Sequence, residues 1–278
     1  MGGAMASRML AEGFPVTGYD ASATARQTWR GSSLNVAETL QDLAGVDVLI
    51  LSLPNSDDVS AVLSGPKGLL ASLDPGAVVA DLSTISPKVS EELAREASAR
   101  GIGFLDAPVS GSPVQVSEGT AALYIGGSAE YLERADPILA SFSAIRSLVG
   151  PNGSGLRLKL IANRLFTTHL AAIAESIVEL RAFGIDEELG LDLLSKGAVP
   201  RILSYKAVPM AKRNWKPGFT VGLMSKDLRL MAEQIPAGTL GAHSHALIEN
   251  ARAQGLTDSD VGAILLQVEQ DARTRSGQ

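Results

Sequence analysis

Apolar and polar positions alternate in blocks along the first 150 residues. Met5, Met9 and Leu10 repeat at helical spacing and Gly13 stops the run, which predicts a helix over 3–12. Pro15–Asp20 reads as a short strand ending in an acid, and the pattern then predicts a helix over 36–44. Val46–Leu53 (VDVLILSL) is a continuous apolar run, the mark of a strand buried on both faces of a parallel sheet. A helix over 56–64 and a strand over Ala77–Leu82 follow. Ser86 as N-cap and Pro87 in the first turn open a helix to Arg100. Strands over Gly103–Asp106 and Ala122–Ile125, a helix over 129–142 and a last strand over Ala144–Val149 complete this half. Strand alternating with helix predicts an α/β fold with a doubly wound parallel sheet, of the Rossmann kind. Right-handed crossovers put helices on both faces.

The turn Pro151-Asn152-Gly153-Ser154-Gly155 is the clearest boundary. Beyond it one helix without internal Gly or Pro is predicted over 156–184. Shorter helices follow near 186–196, 200–213, 222–235, 240–254 and 258–273, and the tail Thr274–Gln278 reads as frayed. Strand-like alternation is absent. The expected division is therefore a dinucleotide-binding domain over 1–150 and an all-helical domain over 151–278.

Composition narrows the classes. Hydrophobic residues are 45% and charged residues 19% of 278, which excludes a disordered chain. Aromatics are only 4%, so the core must be built from Ala, Val, Leu and Ile. A net charge of −6 offers no basic excess for phosphates, and no nucleic-acid partner is expected. With 0 cysteines there are no disulfides, thiolate metal sites or cysteine nucleophiles, which fits a reducing, cytoplasmic setting. No apolar run is long enough to cross a membrane, and MGGAMASRML lacks the pattern of a signal peptide. His243-x-His245 has no further ligand nearby, so no metal is expected, and His169 reads as structural.

Five places could carry chemistry, one of them Met224-Ser225-Lys226-Asp227-Leu228, where Lys226-Asp227 reads by default as a solvated charge pair. Met1-Gly2 opens a helix, and Asp20 ends the next strand at about the spacing at which an acid binds the adenosine ribose of a dinucleotide. Such an acid repels a 2′-phosphate and favours NAD over NADP; an acid that only caps its loop is equally compatible with the residues. Leu53-Pro54 and Asp81-Leu82-Ser83-Thr84 end consecutive strands, where open α/β sheets bind ligands, although ordinary strand-to-helix turns look the same. The stretch Asp106–Thr120 links two strands without evident secondary structure, and Ser110-Gly111-Ser112 could turn backbone N–H groups toward a carboxylate. Lys159 and Asn163 share one helix face at i, i+4. Lys159 lies among Leu156, Leu158, Leu160 and Ile161. It is either a desolvated proton-transfer group or a snorkelling surface lysine.

Taken together these segments resemble the β-hydroxyacid dehydrogenases, the group of 3-hydroxyisobutyrate dehydrogenase, itself similar to 6-phosphogluconate dehydrogenase. The matching runs are M-G-x-x-M-A (Met1–Ala6), D-L-S-T-I-S-P (Asp81–Pro87) and D-A-P-V-S-G-S (Asp106–Ser112) with E-G-T (Glu118–Thr120). G-x-x-x-K-x-x-x-N (Gly155–Asn163) and K-D-L (Lys226–Leu228) follow in the family's order. The resemblance implies an NAD-dependent oxidoreductase moving hydride between nicotinamide and a short 3-hydroxy acid or semialdehyde. It implies Lys159 as acid/base, Asn163 as orienting group, and Ser110, Gly111 and Ser112 at the substrate carboxylate. Met1, Gly2, Asp20, Leu53, Pro54, Thr84 and Lys226 match cofactor contacts, and a homodimer or homotetramer is implied.

The family's second glycine after S-G is here Ser112, and an asparagine common after L-P is Asp58. Two alternatives remain: a semialdehyde or glyoxylate reductase using NADPH, and a cofactor-binding scaffold without catalysis. Aligned on the family, Met1 falls just before the third glycine of G-x-G-x-x-G. The expectation is thus a natural chain that begins upstream, with a further strand central to the sheet.

Overall fold

The computed structural model describes residues 1–196, 203–234 and 238–276. They form two compact units, Met1–Lys159 and Leu160–Gln278.

The first unit opens with α1 (Gly2–Ala11), β1 (Thr17–Gly18), α2 (Ala23–Trp29) and β2 (Asn35–Val36). Next come β3 (Val48–Leu51), α3 (Ser56–Leu63), β4 (Val78–Asp81), α4 (Pro87–Ser98) and β5 (Gly103–Asp106). It closes with β6 (Val109–Ser110), α5 (Pro113–Ser117), β7 (Ala121–Gly126), α6 (Ala129–Leu139) and β8 (Ser143–Gly150). β4 pairs in parallel with β3 and β5, so that Val79 lies between Leu49 and Phe104. Alternation along β4 serves two cores, as a doubly wound sheet requires. Val79 joins Leu49, Leu51, Leu63, Leu93 and Ala97 on one face. Val78 and Ala80 join Met5, Met9, Leu105, Leu123 and Leu139 on the other.

Four expectations need correction. The sheet is mixed: β7 runs antiparallel to β5 and β6 and parallel to β8. The link from β6 to β7 holds only the single-turn α5, too short for the crossover that a parallel pair demands. The stretch 106–120 is accordingly structured rather than a plain loop. The helix expected over 36–44 is instead the end of β2 and a 3₁₀ turn at Leu40–Leu43. There Asp42 accepts the Glu38 and Thr39 N–H groups, and Gly45 (φ +79°) ends the turn. The apolar run Val46–Leu53 is not buried on both faces. β3 ends the six-stranded sheet, with Leu49 and Leu51 buried and Val48 and Ile50 half-buried, while β1 and β2 form a separate ladder.

The helix α7 (Ser154–Ala182) begins in the first unit and continues into the second. The second unit adds α8 (Glu187–Ser195), α9 (Leu203–Ala211), α10 (Val221–Gln234), α11 (Thr239–Ala253) and α12 (Leu265–Ser276). Its core gathers Leu170, Ile173, Ile177, Met210, Val221, Met224, Leu228, Leu247, Ile248 and Ile264. The expected helix over 258–273 is a 3₁₀ turn at Val261–Ile264 leading into α12, and α12 continues the tail as helix to Ser276. The starts of the expected 200–213 helix, the end of the 222–235 helix and residues 277–278 lie outside the described residues.

Candidate active site

The start of α1 lies beside the end of β3. A Cβ on Gly2 would sit 3.6 Å from Ser52 Cβ, an ordinary contact, so close packing alone does not demand glycine there. Gly3 is the tighter position, its virtual Cβ 3.0 Å from the Trp29 ring. No side chain caps the N-terminus of α1, whose N-cap is Met1. A helix start of this kind, at the carboxyl end of a strand, suits a pyrophosphate.

Asp20 is exposed just past β1. Its Oδ1 accepts the Ser22 N–H at 2.8 Å, so one carboxylate oxygen does cap the loop. The Arg26 guanidinium donates to the Asp20 carbonyl at 2.6 Å and lies 5.4 Å over the Tyr19 ring.

The ends of β3 and β4 are tied side by side. The Leu53 N–H donates to Ser83 Oγ at 2.9 Å, and the Ser83 N–H donates to Asp81 Oδ1 at 3.0 Å. Pro54 is exposed, Thr84 is half-buried, and Asn55 caps α3 through the Asp58 N–H. Ser86 holds the N-cap position of α4 without a side-chain bond; its own N–H donates to Ser56 Oγ.

Ser110 ends β6, half-buried, and its Oγ receives the Tyr124 hydroxyl at 3.3 Å. A Cβ on Gly111 would meet Ala121 Cβ at 3.3 Å, which favours glycine. Ser112 works differently from the expected backbone nest. Its N–H donates to Gln115 Oε1 at 2.9 Å and its Oγ accepts the Gln115 N–H, a capping box that starts α5.

Lys159, half-buried, stands little more than one turn into α7. The start of that helix is clamped to the sheet. The Gly153 and Leu156 N–H groups donate to Asp106 at 2.7 and 3.0 Å, and a Cβ on Gly155 would lie 2.2 Å from the Tyr124 carbonyl oxygen. Glycine is therefore obligatory at the head of G-x-x-x-K-x-x-x-N. Asp106 is fully buried, and burial pushes its carboxyl up to about 6 against these hydrogen bonds. Arg157 is held by Glu91 of α4 at 2.7 Å.

Within the second unit, Asn163 Nδ2 donates to Asp227 Oδ2 at 2.6 Å, and Lys226 Nζ lies 3.1 Å from Asp227 Oδ1. Thr167 Oγ1 donates to the Asn163 carbonyl at 2.9 Å. On the same helix as Asp227, Ser225 Oγ donates to Glu249 Oε1 at 2.5 Å. Burial raises the Glu249 carboxyl, but its bonds from Ser225 and Arg252 outweigh that and leave it below the usual range. Asp106 and Tyr124, flanking the Ser110 segment, lie beyond the sequence expectation, and Asp227, expected as half of a solvated charge pair with Lys226, keeps that pair but is buried.

Residues 1–150 match the NAD binding domain of 6-phosphogluconate dehydrogenase. Residues 153–268 match the family described as NAD-binding of NADP-dependent 3-hydroxyisobutyrate dehydrogenase. The chain is 32% identical to the 3-sulfolactaldehyde reductase of Escherichia coli (strain K12), over 96% of this chain and 92% of that protein. It is 29% identical to the 2-(hydroxymethyl)glutarate dehydrogenase of Eubacterium barkeri, over 97% and 92%. Among solved structures it superposes on a 3-hydroxyisobutyrate dehydrogenase from Salmonella typhimurium with a TM-score of 0.86 and 25% identity, covering 94% of each chain. The chain is thus similar to these proteins over nearly its whole length. It belongs to the β-hydroxyacid dehydrogenases, NAD(P)-dependent oxidoreductases acting on a CH–OH group.

Proposed function

We propose that this chain moves hydride between a nicotinamide and a short 3-hydroxy acid or the corresponding semialdehyde, with Lys159 as acid/base. The carrying observation is Lys159 and Asn163 one turn apart on one face of α7, with the helix start fixed against β5 and β7. Residues 1–150 act as the dinucleotide-binding domain and 151–278 as the helical domain. The uncapped start of α1 (Met1, Gly2), Leu53, Pro54 and Thr84 at the strand ends, Asp20 and Lys226 hold the cofactor. The nicotinamide supplies the hydride acceptor in oxidation and the donor in reduction.

Lys159 takes the hydroxyl proton as hydride leaves carbon, and returns it to the carbonyl oxygen in the reverse direction. Asn163 has its amide N–H committed to Asp227, and its part in this reading is to orient the substrate and the lysine. Ser110 and Gly111 hold the substrate carboxylate. The test is Lys159→Ala: turnover is lost while NADH still binds, and full activity in that variant refutes the assignment. A panel of 3-hydroxy acids and semialdehydes, followed by NADH absorbance, identifies the substrate.

Asp20 favours NAD over NADP. Arg26, beside Asp20 and over Tyr19, supports a second reading, an NADPH-dependent semialdehyde or glyoxylate reductase, since a guanidinium there can meet a 2′-phosphate. Parallel titrations with NADH and NADPH decide between them. A homodimer or homotetramer is supported by apolar side chains that the second unit leaves exposed, Phe183, Ile185, Leu189 and Leu193. Light scattering of the purified protein checks it. The absence of cysteine fits work in the reducing cytoplasm.

A further inference from the structure

Most described helices that carry a side-chain cap take it from the residue at their own start: Ser22 for α2, Asn55 for α3, Ser112 for α5, Ser128 for α6, Asp186 for α8. Such a cap fixes a helix to its own loop. α7 is held differently. The carboxylate that receives its first N–H groups belongs to Asp106, at the end of β5, 47 and 50 residues away in sequence. That bond fixes the helix to the sheet.

The surroundings leave the clamp no slack. A Cβ on Gly126 would lie 2.4 Å from Asp106 Oδ1, and one on Gly155 would lie 2.7 Å from the Asp106 carbonyl oxygen. Asn152 Nδ2 donates to the Phe104 carbonyl at 2.9 Å, pinning the residue that leads into the helix. Gly155 and Lys159 are separated by four residues, so the lysine stands on the helix face that touches the β5 and β7 backbones, one turn above the contact. Asp106 is also the first residue of the segment that leads to Ser110. One buried carboxylate therefore ends the strand, starts the Ser110 segment and sets the origin of the lysine helix.

We propose that Asp106 is a positioning residue: its carboxylate sets the height and rotation of the first turn of α7, and through it the place of the Lys159 amine relative to Ser110. The inference rests on the acid/base reading of Lys159. Local capping by a hydroxyl would satisfy the same N–H groups without burying a charge; a buried charge bridging two distant segments supplies geometry instead.

Asp106→Asn keeps the shape and one acceptor, and Asp106→Ala removes both. Misplacement of a reacting group by about 1 Å costs up to about a hundredfold in rate. The expected result is a kcat reduced about tenfold or more in Asp106→Asn and further in Asp106→Ala. KM for the hydroxy acid and the NADH dissociation constant stay within about twofold, because binding groups are untouched. The limb of the kcat–pH profile set by Lys159 shifts as well, which a loss of stability alone does not produce. Amide hydrogen exchange at residues 153–159 quickens in both variants. Wild-type kcat with unchanged exchange in these variants overturns the proposal. So does fast exchange of the Leu156 amide in the wild-type protein, a measurement that needs no variant to fold. Lys159→Ala is assayed alongside. If it stays active the acid/base reading fails, while the exchange data still show whether Asp106 holds the helix, so the two failures are separable.

Discussion

Asn163 hands its side-chain N–H to Asp227 across 2.6 Å, at a site where the two residues are 7% and 2% exposed. The amide is thereby fixed in one orientation, and Lys226 at 3.1 Å balances the carboxylate. Removing the acceptor leaves a buried donor without its partner, at a cost of about 1–3 kcal/mol. Asp227→Ala is therefore expected to lower the unfolding midpoint and to reduce kcat, since the Asn163 amide is then free to turn. Asp227→Asn, which still accepts the bond, loses less stability than the alanine variant. Thermal unfolding and steady-state kinetics of the two variants check this, and equal losses in both refute it.

The Asp106 carboxyl titrates at about 6, raised from 3.8 by burial. Between these values the folded protein binds more protons than the unfolded chain, so this group's contribution to stability falls as pH rises from about 4 to about 6. The full effect is about 3 kcal/mol. Asp106→Asn has no such proton to exchange. The stability of wild type relative to Asp106→Asn is thus expected to be greatest near pH 4 and to shrink toward pH 7. Denaturant unfolding at a series of pH values measures it, and a difference independent of pH removes the assignment.

Lys206 and Asp260 form a largely buried ion pair at 2.8 Å, and the same carboxylate also accepts the Gly218 and Gly262 N–H groups. Burial pushes the Asp260 carboxyl up, but Lys206 and the two backbone donors outweigh it and hold the group below the usual carboxylate range. Its contribution is present above the ordinary carboxylate pKa and is lost as pH falls through the lowered folded value. Asp260→Ala strands the lysine, and a loss of about 3–5 kcal/mol is expected. Calorimetry of the variant provides the measurement.

Asp20 is exposed, and its Oδ1 accepts the Ser22 N–H. If its charge discriminates against a 2′-phosphate, Asp20→Asn relieves about 1 kcal/mol of repulsion in water, roughly a fivefold gain in kcat/KM for NADPH relative to NADH. An unchanged ratio shows that Asp20 only caps its loop.

Much of this was legible from the chain. Helices α1, α3, α4 and α7 and strands β3, β4 and β5 follow from the spacing of apolar residues, which is a local property and survives any tertiary arrangement. The segment Asn35–Leu43 misled because three apolar positions at near-helical spacing belong to a strand end and one 3₁₀ turn; the Asp42 bonds to Glu38 and Thr39 compete with a longer helix. α2 went unread although Ser22 stands at its start as an N-cap.

The site divides in the same way. Residue types and spacing alone brought out Lys159 with Asn163, Asp20, Leu53-Pro54 and the Ser110 segment. Lys159 and Asn163 pair because they are i, i+4 on one helix, and a helix imposes that proximity by itself. The antiparallel turn of β7, the ties from Ser83 to Leu53, Tyr124 to Ser110 and Asp227 to Asn163, and the Asp106 clamp on α7 were decided only in three dimensions. Each joins groups between 14 and 64 residues apart in sequence, and no local periodicity encodes which buried donor finds which acceptor. The sequence by itself determined most of the helices and strands and named the candidate residues. The tertiary structure decided where the lysine helix begins, because that depends on a carboxylate from another strand and on glycines that let two backbones meet.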